Sequence, residues 1–111
     1  MSTPASQPVR EQPWTDPMRQ KRNQAEVEVV ISNRQGLHAR PVMRFVDLAG
    51  TFQSSIRVRK GRDEVDGKSP MEMMLLAATQ GTALRIIAEG DDAQAAVAAL
   101  AGLISDKFGE E

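Results

Sequence analysis

Apolar and polar residues repeat along this chain with two different periods. Four segments alternate between apolar and polar positions, which predicts half-buried strands. Their inward positions are Val27, Val29, Ile31, Ile56, Val58, Val65, Leu84, Ile86 and Ala88. Three other segments repeat apolar residues at helical spacing, which predicts amphipathic helices. The first carries Val42, Phe45, Val46 and Ala49, the second Met73 and Leu76, and the last Ala96, Val97, Leu100, Leu103, Ile104 and Phe108.

Residues with strong turn or capping preferences separate these segments. Lys60-Gly61-Arg62-Asp63 predicts a hairpin turn, and Gly50 predicts the end of the first helix. Asp91 or Asp92 is expected to cap the last helix. The resulting order predicts an α+β fold, a two-layer βαββαβα domain with a four-stranded, mostly antiparallel sheet and three helices on one face.

Residues 1–24 differ in composition from the rest of the chain. They contain Pro4, Pro8, Pro13 and Pro17, many Ser, Thr and Gln residues, and few large apolar side chains. Such a segment cannot bury enough surface to offset the entropy of ordering it. We therefore expect a disordered Pro-rich tail over residues 1–24 and a single domain over residues 25–111.

Composition narrows the class of protein. The chain has 111 residues, no Cys and a formal net charge of −1, which gives no general attraction to nucleic acid or to an anionic membrane. No apolar run reaches the roughly 18 residues of a membrane span, and the N-terminus lacks a signal-peptide pattern, so we expect a cytoplasmic protein. The sequence shows no P-loop, no histidine pair and no nucleophile–base pattern. It therefore predicts neither an enzyme nor a cofactor or metal site.

The candidate chemistry lies in Gly36-Leu37-His38-Ala39-Arg40-Pro41, which contains the only histidine and joins the first strand to the first helix. A helix N-terminus has partial positive charge and unpaired N–H groups, which favour a neutral imidazole nucleophile and then hold an anionic product. Arg40 adds a planar cation suited to phosphate oxygens, and Gly36 permits a tight turn. These residues predict a histidine that carries a phosphoryl group, but on their own they also fit a capping histidine beside a surface arginine.

The hexapeptide resembles the active-site signature of the HPr family, the phosphocarrier proteins of the bacterial phosphoenolpyruvate-dependent phosphotransferase system. The resemblance extends over residues 25–111, because element order and domain length agree as well. It implies that His38 accepts a phosphoryl group from phospho-Enzyme I on its pros nitrogen, Nδ1, and passes it to an EIIA component. It further implies that Arg40 helps to position the phosphate, and that the protein is a carrier rather than an enzyme. We expect it to act as a monomer without a cofactor.

A second motif, Asp66-Gly67-Lys68-Ser69-Pro70-Met71-Glu72, predicts the start of the second helix. Ser69 at the N-cap and Glu72 three residues later form a capping box, with Pro70 at the first helical position. By resemblance, Ser69 matches the serine that HPr kinase/phosphorylase modifies, although the family usually has an aliphatic or aromatic residue where Pro70 stands. A phosphate there would add about two negative charges to the face that docks partners.

Methionines provide a candidate partner surface. Helical spacing directs Met73 and Leu76 inward and leaves Met43, Met71 and Met74 outward. Flexible thioethers suit a surface that binds several partners in turn, and the resemblance implies that these positions contact Enzyme I and EIIA. The same methionines also fit the edge of an apolar core.

Three functions remain open on the sequence. The leading one is a phosphohistidine carrier of the sugar phosphotransferase system. The second is a regulatory binding module for nitrogen or carbon-source control, which acts through the phosphorylation state of Ser69 or His38 without sugar transport. The third is a small RNA-binding sheet domain, suggested by the basic residues within 57–62. Because no aromatic residue on those strands could stack a base, a solvated strand face explains the basic residues better.

Overall fold

Four strands and three α-helices form the part of the protein that the computed structural model describes, residues 23–109. In chain order these are β1 (Gln24–Val30), α1 (Ala39–Ala49), β2 (Ser55–Lys60), β3 (Asp63–Asp66), α2 (Pro70–Leu75), β4 (Ala83–Glu89) and α3 (Ala93–Ser105), followed by a short 3-10 turn at Lys107–Gly109. The predicted α+β class and βαββαβα order are confirmed. Of the predicted tail, residues 1–22 lie outside the described residues, whereas Gln24 already belongs to β1.

The strands lie in the order β1-β4-β2-β3, and all three pairings are antiparallel. Ile86 of the central strand β4 is opposite Val27 of β1 and Val58 of β2. The predicted hairpin joins β2 to β3 with Lys60 opposite Asp63, and Gly61 in the turn has a φ of 59°. This register aligns the predicted inward positions of neighbouring strands on one face of the sheet.

The helices cover that face and form one contiguous core with it. Most of the predicted inward side chains are fully buried. They are Ile31, Val42, Phe45, Ala49, Ile56, Val58, Met73, Leu76, Leu84, Ile86, Ala88, Ala96, Leu100 and Ile104. The predicted positions Val27, Val29, Val46, Val65 and Leu103 are partly buried and pack against this core. No helix within residues 23–109 combines the length and apolar character that crossing a membrane requires.

The opposite face of the sheet is covered by no helix of residues 23–109 and carries ion pairs between neighbouring strands. Glu64 of β3 accepts from Arg57 Nε at 3.0 Å and from Arg59 Nη2 at 2.9 Å, and Arg85 Nη1 lies 3.2 Å from Glu26. The two arginines hold the pKa of the Glu64 carboxyl below its usual value by hydrogen bonding. Exposed pairs of this kind add little stability, and their positions match the predicted solvated strand face.

The C-terminal end of the last helix departs from the prediction. Helical spacing places Phe108 on the inward face of α3, but the helix ends at Ser105, and Lys107 and Phe108 have φ values of 54° and 56°. This left-handed turn still buries Phe108 completely, and the burial of its ring offsets the cost of the backbone conformation. Arg44 is exposed, and its guanidinium donates to the Phe108 carbonyl.

The cap of α3 is also different from the prediction. Asp92 occupies the N-cap position, but its side chain makes no capping hydrogen bond. Its carboxylate instead accepts from the backbone N–H groups of Gln53 at 2.8 Å and Ser54 at 2.9 Å, and from the Ser54 hydroxyl. These hydrogen bonds lower the pKa of Asp92, with the Ser54 hydroxyl as the largest cause. Asp92 therefore ties the start of α3 to the segment that precedes β2.

Asp92→Asn should lower the thermal midpoint of unfolding at neutral pH. An amide NH2 group would replace one of the two carboxylate oxygens that accept hydrogen bonds from the N–H groups of Gln53 and Ser54. The folded-state pKa of Asp92 is below the ordinary value, so its contribution is present above the ordinary Asp pKa of about 3.9 and is lost as pH falls through the folded pKa. The difference between wild type and Asp92→Asn should therefore shrink on acidification. Asp91→Asn, at the exposed neighbouring position, is the control. Equal changes in the thermal midpoint of the two variants would show that the hydrogen bonds of Asp92 to Gln53 and Ser54 do not stabilise the fold.

Candidate functional site

His38 is the N-cap residue of α1. Its backbone is extended, with φ −113° and ψ −170°, and its carbonyl accepts from Val42 N–H at 3.0 Å. The imidazole makes no capping hydrogen bond to the first turn, so the structure does not support the capping alternative. The residue is half-buried and its Nε2 atom lies beneath the surface.

The first turn of α1 presents donors beside this imidazole. Within the described residues, the N–H groups of Ala39 and Arg40 donate to no acceptor, as expected for the first turn of a helix. Pro41, the third residue of the helix, has no N–H to satisfy and is buried. The Arg40 side chain is exposed and makes no hydrogen bond or ion pair with any residue of the described range. The helix start therefore offers backbone dipoles and a guanidinium to an anion.

Gly36 fits its position because any side chain would collide with the backbone opposite. Its φ is +69°, and an added Cβ would lie 2.5 Å from the Ala78 carbonyl oxygen and 2.8 Å from Thr79 Cα. Next to it, Leu37 N–H donates to the same Ala78 oxygen at 2.8 Å. The predicted tight turn at Gly36 is confirmed, and the contact with Ala78 is additional to the prediction.

The segment that Gly36 touches, residues 77–82, is here called the supporting loop. It follows α2. Two further backbone hydrogen bonds, Ile31 N–H to Thr82 O at 2.9 Å and Gly81 N–H to Ile31 O at 2.8 Å, join it to the start of residues 31–38, which we call the histidine loop. Ala77 adopts a φ of 51°, a left-handed conformation that a residue with a Cβ rarely takes. The position of His38 therefore depends on a segment about forty residues later in the chain.

Ser69 is the N-cap residue of α2, as predicted. Its Oγ accepts from Glu72 N–H at 3.2 Å, and Pro70 occupies the first helical position. Only half of the predicted capping box forms, because the Glu72 carboxylate accepts from Asp66 N–H at 2.9 Å instead of from Ser69. Ser69 N–H donates to the Asp66 carbonyl at 3.1 Å, which closes a turn and leaves no N–H at Ser69 for Glu72.

The exposed apolar side chains of α1 and α2 form a surface that we call the methionine patch. It consists of Met43, Met71, Met74 and Leu75, which are 45%, 74%, 44% and 75% exposed. Met73 and Leu76 are buried, as helical spacing predicts. Leu75 was not predicted to face outward, although its spacing of four residues from Met71 would have indicated it.

Asn33 is a further residue that the sequence analysis missed. It is fully buried, and its Nδ2 donates to the Gly36 carbonyl at 2.7 Å. An Asn three residues before a glycine is a turn signal, but nothing in the sequence shows that the side chain would be enclosed. No group of three or more His, Asp or Glu residues that could hold a metal ion occurs in the described part of the chain.

The fold and the site together define a small α+β domain with one histidine at a helix N-terminus, and comparisons with known proteins place this domain in a family. The family model for the PTS HPr component phosphorylation site matches residues 25–106. Phosphocarrier protein HPr of Xylella fastidiosa (strain 9a5c) is 40% identical over 86 residues, which cover 78% of this chain and 97% of that protein.

Two solved structures of HPr proteins are similar to this chain. The crystal structure of HPr-C-His from Thermoanaerobacter tengcongensis is similar with a TM-score of 0.76 and 47% identity, covering 78% of this chain and 98% of that one. The solution structure of Crh, the Bacillus subtilis catabolite repression HPr, is similar with a TM-score of 0.56 and 36% identity, covering 72% and 95%. The chain belongs to the HPr family of the phosphotransferase system. It is a phosphocarrier of that system rather than an enzyme.

Gly36→Ala should destabilise the protein by roughly 2–4 kcal/mol, because it combines a left-handed backbone penalty with overpacking against Ala78. Gly61→Ala is the matched control, since Gly61 has a similar φ of +59° but open space around its Cβ position. It should cost only about 1 kcal/mol, from the backbone alone. Chemical denaturation gives the free energy of unfolding of both variants. Equal losses of stability would show that crowding against Ala78 does not add to the backbone penalty.

Proposed function

We propose that His38 accepts a phosphoryl group from phospho-Enzyme I and passes it to an EIIA component. The observation that carries the proposal is the position of His38 at the N-cap of α1. Its imidazole makes no capping hydrogen bond, and two backbone N–H groups beside it have no acceptor among residues 23–109. These donors suit a dianionic product at that position. The HPr membership of the chain supports the same role.

The reacting atom in this proposal is Nδ1. Because Nε2 lies beneath the surface, Nδ1 is the ring nitrogen that an incoming phosphorus atom would reach. Its lone pair forms the new N–P bond, while the bond between phosphorus and the donor breaks and the donor keeps that electron pair. The transfer to EIIA reverses these roles. Arg40 would then pair with the phosphate oxygens, since its guanidinium is exposed beside the helix start.

Incubation with phosphoenolpyruvate and Enzyme I should give an acid-labile phosphate on His38, and His38→Ala should abolish it. The chain has one histidine, so the loss of label in that variant assigns the site. Transfer of the label to an EIIA domain completes the test. A wild-type protein that acquires no acid-labile phosphate would show that the proposed carrier role is wrong.

A second candidate function is a regulatory module that responds to phosphorylation of Ser69. The similarity to the catabolite repression HPr of Bacillus subtilis favours this function, as does the N-cap position of Ser69, where a phosphate would meet the positive end of the helix. An acid-stable phosphate that HPr kinase and ATP add at Ser69, in a protein that Enzyme I does not label, would support the regulator over the carrier.

The methionine patch is the surface that we propose for docking Enzyme I and EIIA. Its four side chains are exposed on two adjacent helices, and α2 continues directly into the supporting loop that contacts Gly36. A partner bound to this patch would therefore lie on the side of the molecule from which the histidine loop is held. A small apolar contact with flexible thioethers also permits the rapid release that a carrier needs.

Met71→Glu should slow phosphoryl transfer from Enzyme I about tenfold, because a charge replaces an apolar contact worth about 1.4 kcal/mol. The thermal midpoint should stay close to the wild-type value, since Met71 is 74% exposed. Val30→Glu is the control, because Val30 is 54% exposed but lies on β1 outside the patch. Transfer rates from Enzyme I that are equal in the two variants would contradict a specific role for the patch.

A further inference from the structure

Asn33 holds both polar backbone groups of Gly36. Its own backbone carbonyl accepts from Gly36 N–H at 3.1 Å, and its side-chain Nδ2 donates to the Gly36 carbonyl at 2.7 Å. The side chain has no solvent exposure. A glycine at a φ of +69° has many alternative conformations open to it, so these two bonds select one of them.

The Gly36 carbonyl is also bonded to the histidine itself. It accepts from His38 N–H at 3.1 Å, while the N–H of the same peptide unit, at Leu37, donates to Ala78 O at 2.8 Å. The peptide unit between Gly36 and Leu37 is thus fixed at both ends. Its orientation decides the direction from which the chain enters the N-cap of α1.

Fold stability alone does not account for an asparagine at this position. Asn33 Oδ1 is buried and accepts no hydrogen bond from any residue of the described range. A buried acceptor without a donor costs about as much as a hydrogen bond contributes, or more. The enclosed amide therefore adds little net stability, and what remains is the orientation that it gives to the Gly36 carbonyl.

We infer that Asn33 is a positioning residue for phosphoryl transfer at His38, an inference that rests on the function proposed above. By fixing the Gly36 carbonyl, Asn33 fixes the His38 N–H. The imidazole then enters the N-cap in the orientation that directs it and the N–H groups of Ala39 and Arg40 toward the same phosphate. A displacement of about 1 Å at a reacting group can reduce a rate as much as 100-fold.

The first test compares Asn33→Ala with the wild type in the rate of phosphorylation by phospho-Enzyme I. We expect a rate at least about tenfold lower, with only a small change in the thermal midpoint. Val97→Ala is the stability control, because Val97 is buried on α3 and belongs to neither the histidine loop nor the supporting loop. That variant should lose stability while it accepts phosphate at the wild-type rate.

The second test restores a donor at residue 33 in a pH-dependent way. In Asn33→Asp, a protonated carboxyl can donate to the Gly36 carbonyl and an ionised one cannot, and burial raises the pKa of such a carboxyl. The rate of Asn33→Asp relative to the wild type should therefore fall as pH rises. The relative rate of Asn33→Ala should not depend on pH, because alanine does not titrate.

The outcomes separate this inference from the proposed function. A wild-type protein that Enzyme I does not phosphorylate would overturn the carrier role and the inference with it. A labelled wild type with an equally fast Asn33→Ala variant would overturn the inference alone. So would an equal rate loss in Asn33→Ala and Val97→Ala, or a relative rate of Asn33→Asp that is independent of pH.

Discussion

The close approach of Gly36 to the Ala78 carbonyl is the contact on which the site depends. The space between the two backbones is too small for a Cβ, and the φ of +69° suits glycine. Because Leu37 donates to the same carbonyl, the chain reaches the first helix in one direction only. The backbone of His38 at the helix N-terminus is thus held by backbone packing and backbone hydrogen bonds.

This arrangement connects two parts of the molecule that a carrier must coordinate. The short helix α2 displays Met71, Met74 and Leu75 on its outer side, buries Met73, and continues into the loop that supports Gly36. Lys60 adds a further restraint, because its ammonium donates to the Leu76 carbonyl at 2.8 Å. The proposed docking surface and the proposed phosphoryl acceptor therefore rest on one continuous stretch of chain.

Local periodicity was sufficient to predict the helices and strands. It did not predict the contacts between residues that are far apart in the chain. The alternation in β4 and the helical spacing around Phe45 predicted the sheet and α1, because each pattern reports burial of neighbouring positions. The spacing also separated buried Met73 from exposed Met71. In contrast, Asp92 bonds to a segment that is 38 and 39 residues earlier, and Phe108 returns to the core through a left-handed turn. Neither follows from the order of residues within one segment.

The site shows the same division between local and distant information. His38 and Arg40 could be proposed from a hexapeptide that resembles the HPr signature, because a helix start and a basic residue are local properties. Asn33 could not, since the role that we infer for it comes from enclosure by the fold and from an Oδ1 atom that accepts no hydrogen bond within residues 23–109. In the transfer that we propose, the phosphoryl group comes from a partner and the chain presents only a nucleophile. Accurate placement of the imidazole then becomes what the fold must supply, and the buried Asn33 is the residue that we propose supplies it.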